Sequence, residues 1–192
     1  MKRKIVISLL ILLSTFFLYG CKKNNELSKN KPLEKTKSDS VVIYFSATGN
    51  TRKIAKRIAS ESNSDIIEII PKEEYKSEDL NYNSDCRANR EKNDPKARPE
   101  IKNTIDISKY DTIYLGYPIW WGTNPKIILT LLDTYDFTNK TIIPFCTSGS
   151  TGISESVNDL KKYNTNLNIK DGKRFSINDN DEIIKEFIDN ND

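Results

Sequence analysis

From Val41 onward, short apolar runs rich in β-branched residues alternate with stretches whose apolar residues recur at helical spacing. No other feature constrains the chain as much. Strands separated by helices pair in parallel through crossovers, and right-handed crossovers leave few topologies. Residues 41–45 (VVIYF) read as a strand buried on both faces. Residues 50–62 carry Ile54, Ala55, Ile58 and Ala59 on one helical stripe. Residues 65–70, 112–117 and 141–146 are further strand-like runs. Residues 125–133 read as a helix, with Asn124 as cap and Pro125 in the first turn. Ile153, Val157 and Leu160 mark another helix. A weak strand over 167–169, running on toward Phe175, and a helix over 181–188 complete the pattern. The expected product is one α/β domain over residues 41–192, a doubly wound parallel sheet with helices on both faces.

Two segments resist this scheme. Pro144 lies inside the fourth strand and has no N–H for a ladder, which predicts a bulge or a position turned away from the neighbouring strand. Residues 73–100 are polar and charge-rich. A structureless loop of that length is uncommon in a compact domain, so a helix is expected near residues 84–92.

The chain has no histidine, which excludes a Ser-His-Asp triad, an imidazole base and a His-ligated metal. The net charge is +3, and Lys2, Arg3 and Lys4 account for all of it. Without them the protein is near neutral, unlike a general nucleic-acid binder. A basic start, an apolar run over residues 5–19 and Leu18-Tyr19-Gly20-Cys21 resemble a bacterial lipoprotein signal. The apolar run is shorter than the roughly 20 residues of a spanning helix. Residues 1–20 are therefore expected to be removed as a signal peptide and Cys21 to be lipidated. Residues 21–40 would form a flexible tether, too poor in apolar side chains to fold. This places the protein outside the cytoplasm, lipid-anchored to the bacterial cell membrane.

Ligands of open parallel sheets bind beyond the carboxyl ends of the strands, and three post-strand loops are chemically distinctive. Ser46-Ala47-Thr48-Gly49-Asn50-Thr51 opens the first helix with hydroxyls, an amide and a glycine but no charge. Such a loop suits a single phosphate held by backbone N–H groups and a helix N-terminus. It has neither the lysine of a triphosphate loop nor the glycine spacing of a dinucleotide fingerprint. Pro118-Ile119-Trp120-Trp121-Gly122 contains both tryptophans of the chain, an aromatic plate beside a turn. Thr147-Ser148-Gly149-Ser150-Thr151-Gly152 is a thin polar loop able to meet a ring edge. Together they describe a site for a planar heterocycle bearing one phosphate.

These residues resemble the flavodoxins. The phosphate loop of that family reads T/S-x-T-G-x-T, and residues 46–51 match every fixed position. Residues 117–122 with Pro125, the stretch Pro144-Phe145-Cys146-Thr147-Ser148-Gly149, and Tyr82, Arg87-Ala88, Glu91 and Arg98-Pro99 are similar to a short bacterial branch of the family. The resemblance implies a five-stranded sheet of order 2-1-3-4-5 with FMN as cofactor. By position, Ser46, Thr48, Gly49, Asn50 and Thr51 would hold its phosphate. Pro118, Ile119, Trp120, Trp121 and Gly122 would line the ring, and Thr147, Ser148, Gly149, Ser150, Thr151 and Gly152 would border its other side. Electron-shuttling flavodoxins are usually acidic and cytoplasmic, so the chain departs from the family in charge and in its expected tether.

The function expected is a membrane-tethered FMN protein carrying electrons between a redox partner protein and a further partner or small acceptor, with no catalytic protein side chain. One alternative is an FMN-dependent NAD(P)H reductase of a quinone or similar acceptor. Another is a surface lipoprotein that kept the fold without flavin. With no cation expected near the ring, the sequence predicts a lowered potential for the second electron. Cys86 and Cys146 are expected to be lone thiols rather than a redox pair.

Overall fold

A computed structural model describes residues 39–191. The expected signal peptide, the Cys21 lipidation site and the tether up to residue 38 lie outside the described residues. Among the described residues, no helix is long and apolar enough to cross a membrane.

Strands β1 (Ser40–Tyr44), β2 (Asp65–Glu68), β3 (Thr112–Pro118) and β4 (Thr141–Thr147) are parallel, as are the short β5 (Asn168–Ile169) and β6 (Lys173–Phe175). The order is β2-β1-β3-β4-β5, with β6 also paired to β4. This is the expected 2-1-3-4-5 sheet, except that its fifth position is filled by two short strands in succession. The helices are α1 (Asn50–Glu61), α2 (Arg87–Asn93), α3 (Lys126–Thr134), α4 (Ser154–Tyr163) and α5 (Asp181–Asp189).

Side chains alternate across a strand, so each central strand supplies two cores. Val41, Ile43 and Phe45, with Ile113, Leu115 and Tyr117, pack under α3, α4 and the insert. Val42, Tyr44, Tyr114, Ile143 and Phe145 pack under α1 and α5. Burial on both faces explains why these strands read as continuous apolar runs.

Pro144 leaves the ladder intact. It pairs in register with Leu115 of β3. The Ile142 carbonyl accepts from the Lys170 N–H, and Pro144, two residues on, faces the same side, away from β3. Its missing donor therefore falls where β5 stops and β6 has not begun.

The insert is not a loose loop. Its ends are zipped together: Lys72 N–H donates to the Glu100 carbonyl and Lys102 N–H to that of Ile70. Between them lie a 3-10 turn at Ser77–Leu80 and α2. Tyr75, Cys86 and Ala88 anchor the insert in the core. Arg87 pairs with Glu91 and lies 4.0 Å over the Tyr75 ring, and the Tyr75 hydroxyl donates to Glu91. Arg90 pairs with Asp85 and Arg98 with Asp133.

Candidate functional site

The loops after β1, β3 and β4 meet at one edge of the sheet around a cleft of about 510 Å³. Thr48 and Asn50 line it from the first loop, Pro118, Ile119 and Trp120 from the second, and Thr147, Ser148 and Gly149 from the third. The Ile119 N–H donates to the Thr147 carbonyl at 3.0 Å, which ties the second loop to the third.

The mouth of α1 is open to an anion. Gly49 occupies the N-cap with φ 88°, a conformation that favours glycine, and offers no side-chain acceptor. The first turn contains no acidic residue. The N-terminal N–H groups of a helix have no partner within it. At α5 the same need is met internally: the Asn180 side chain accepts from Ile183 N–H, and Asp181 and Glu182 stand in the first turn. Helices α2 and α3 also lack a side-chain cap and a first-turn acid; what sets α1 apart is that Thr48 and Asn50 at its mouth line the cleft. Ser46 shapes the loop from behind, accepting from the Gly49 N–H at 3.1 Å. The buried hydroxyls of Thr51 and Thr147 share a hydrogen bond of 2.8 Å, which leaves the Thr51 backbone N–H as its contribution to the helix mouth.

The two tryptophans diverge. Trp120 and Thr123 exchange backbone hydrogen bonds across a tight turn in which Trp121 has φ 48° and Gly122 has φ 85°. Left-handed φ at both central positions defines a type I′ turn, unusual for a tryptophan. The turn sets Trp120 in the cleft wall, where it is largely buried in the core at 7% exposure, and aims Trp121 at the insert, where its ring meets Tyr82 at 4.4 Å. Trp120 is held edge-on by Phe45 and Tyr75. The remaining predicted residues, Ser150, Thr151 and Gly152, follow the cleft-lining part of the third loop and are exposed. The Ser148 hydroxyl donates to the Thr151 carbonyl, which shapes that loop.

Sequence reasoning missed five lining residues: Leu80 and Tyr82 from the insert, Phe175 at the end of β6, and Ser176 and Ile177 after it. Tyr82 and Ile177 are exposed and form an apolar rim. The sequence also predicted no cation near the ring. The structure sets one cation beside the third loop: Arg174 of β6 donates to the Ser148 carbonyl at 3.3 Å.

A second hollow of about 300 Å³ lies on the other side of the first loop, between Ser46, Arg52, Glu68 and Tyr75. Its polar groups already pair: Arg52 forks onto Glu68, and the Tyr44 hydroxyl donates to Glu68. Among the described residues, no cluster of acidic or thiol groups is placed to hold a metal.

Both described cysteines are free and buried. Burial pushes the Cys146 thiol up to about 12, and Arg174 opposes the shift. Thiolate is the reactive form, so Cys146 should resist iodoacetamide at pH 8 in the native protein and react only after unfolding. The folded pKa lies above the unfolded value of about 8.5. The stability this thiol contributes is therefore complete below that pH and is lost as pH rises toward 12. Mass mapping of native and urea-treated samples checks the reactivity; rapid native alkylation at Cys146 would contradict its burial.

The cleft thus joins an uncharged phosphate cradle to an indole plate and a thin polar loop, which fits a planar ring carrying one phosphoester. No curated protein matches the sequence. Two solved structures of candidate flavoproteins, from Bacteroides eggerthii DSM 20697 and Bacteroides uniformis ATCC 8492, are 38% and 37% identical to the chain. Both superpose with TM-score 0.75 over 78% of this chain, covering 95% and 97% of their own. A flavoprotein from Lactobacillus acidophilus NCFM, solved in complex with FMN, is 31% identical with TM-score 0.60, over 70% of this chain and 91% of its own. The flavodoxin family profile matches residues 39–191, and with the sheet order and the three loops this shows that the chain belongs to the flavodoxin family.

Proposed function

We propose that the protein is a membrane-tethered flavodoxin that binds FMN and carries electrons between partners. The observation that carries the reading is the uncapped, acid-free mouth of α1 opening into the same cleft as Trp120. The family and the FMN complex of the Lactobacillus relative support the cofactor. Bound there, FMN supplies one- and two-electron chemistry.

The chain's own residues do the rest. The backbone N–H groups of Asn50 and Thr51, the Thr48 hydroxyl and the Asn50 amide hold the phosphate. Trp120, fixed edge-on by Phe45 and Tyr75, gives the ring an apolar wall. The third loop, tied to Ile119, would border the polar edge of the ring and shield it from water. The rim of Tyr82 and Ile177 leaves an apolar approach for an electron partner. Such an approach suits a docked redox protein and equally a planar acceptor, so the reductase alternative stays in play. Rapid bleaching of bound FMN by NADPH would favour the reductase.

The tether rests on Cys21 and the sequence before it. The full chain purified in detergent should carry flavin absorbance in the visible and near ultraviolet in about one-to-one ratio after FMN addition. A colourless protein would overturn the cofactor and carrier reading together. Cys21→Ser should abolish incorporation of labelled fatty acid and release the protein from the membrane fraction. Retention of label would remove Cys21 as the anchor.

A further inference from the structure

Six arginines stand among the described residues, and five of them hold a carboxylate in an ion pair. Arg174 is the exception. It pairs with no carboxylate among the described residues, although it is half-buried. Its guanidinium donates to the Ser148 carbonyl at 3.3 Å. The position is fixed by the sheet: β6 pairs with β4 in the register Cys146 to Arg174 and Thr147 to Phe175. Arg174 therefore flanks the strand end that launches the third loop. None of the residues lining the cleft is charged. Arg52, beside Gly49 of the first loop, is already paired with Glu68, whereas the unpaired cation Arg174 stands behind Ser148, which does line the cleft.

A half-buried charge without a counter-ion is unfavourable on desolvation grounds unless something else neutralises it. A site that gains negative charge during its working cycle provides that. When two electrons and one proton enter a neutral flavin ring, one negative charge remains in it; when two protons enter, none does. A fixed cation nearby favours the first outcome. We propose that Arg174 is a positioning and charge-balancing residue of the flavin site. It holds the Ser148–Gly149 backbone through the Ser148 carbonyl, and its charge favours the reduced, anionic ring over the oxidised, neutral one. The inference rests on the FMN reading above. It works against the lowered potential predicted from a site without cations.

The test compares the affinity for oxidised FMN with that for dithionite-reduced FMN, by anaerobic titration of the full chain in detergent. Arg174→Gln should weaken the reduced form about tenfold more than the oxidised form. That ratio corresponds to a two-electron potential lower by about 30 mV. Arg174→Lys, which keeps the charge, should hold the wild-type ratio within about twofold at low salt. In the wild type the ratio should move toward that of Arg174→Gln as salt rises, because screening weakens the charge but leaves the hydrogen bond. The salt series stands even if the Gln variant fails to fold. Equal weakening of both states in Arg174→Gln, with no salt dependence of the wild-type ratio, would show a structural strut and overturn the proposal. No change in either state would overturn it too. A wild-type chain that binds no FMN would instead overturn the FMN reading, and the proposal with it.

Discussion

Asn50→Asp is expected to weaken FMN binding about 100-fold or more while leaving the fold at least as stable. Asn50 is the first residue of α1, exposed and lining the cleft. The first turn of α1 has no carboxylate and its cap is a glycine. An acid there meets the positive end of the helix dipole, a stabilising effect of roughly 0.3–1 kcal/mol. The same carboxylate faces the phosphate. Two like charges about 4 Å apart repel by about 4 kcal/mol at an effective dielectric of 20, more than the roughly 2.7 kcal/mol that a 100-fold loss requires. The two effects therefore have opposite signs. Urea denaturation of the flavin-free protein should show an unchanged or raised midpoint, and fluorescence titration a large loss of affinity. Parallel loss of both would mean that the loop only turns the chain, and no phosphate would belong at α1. Asn50→Lys inverts the logic: it opposes the dipole slightly and should leave phosphate binding largely intact.

What could be read in advance was local. The hydroxyl-rich loop and the helix it opens are contiguous, so the helix mouth was visible in six residues. The alternating runs fixed the sheet, because burial on both faces leaves a continuous apolar signature in each central strand. The split of the tryptophans was not visible in the sequence, which set both against the ring; the turn at Trp121 and Gly122 leaves only Trp120 lining the cleft. What could not be read depends on tertiary return. Tyr82 and Leu80 reach the cleft only because Lys72 and Glu100 close the insert at its base. The sequence pointed to one weak strand over 167–169, running on toward Phe175. They are two, Asn168–Ile169 and Lys173–Phe175, and in the gap a Cβ at Gly172 would stand 2.5 Å from the Pro144 carbonyl, a close approach that needs glycine. The expected Asn124 cap also failed. Pro125 occupies the cap position with extended backbone, and the Asn124 amide donates weakly to the Thr123 hydroxyl instead. Arg174 was one cation among many in the sequence, and only its register opposite Cys146 sets it beside the third loop.

The largest effect on folding is expected at Gly116→Ala, which should destabilise the protein by about 3 kcal/mol. The reason is space. Gly116 has no left-handed φ. It pairs in register with Phe145, and a Cβ on it would stand 2.2 Å from the Phe145 Cζ, with two more ring atoms inside 3 Å. Phe145 is fully buried and meets Phe175 edge-on, so its ring has no free volume to enter. Close-packed interiors absorb such an intrusion only by strain or backbone shift. Gly116 and Phe145 lie two residues before Pro118 and Thr147, where β3 and β4 begin to form the cleft. A widened β3–β4 spacing there would part the Ile119-to-Thr147 tie and lower FMN affinity as well. The paired change Gly116→Ala with Phe145→Leu removes the clash at its source. The double variant should be more stable than the sum of the two single losses predicts, by about 0.5–3 kcal/mol of coupling, and should regain flavin affinity relative to Gly116→Ala alone. Urea midpoints of the four proteins measure the coupling. A Gly116→Ala variant within about 0.5 kcal/mol of wild type, the range of an ordinary surface change, would mean that the two strands do not meet through this ring.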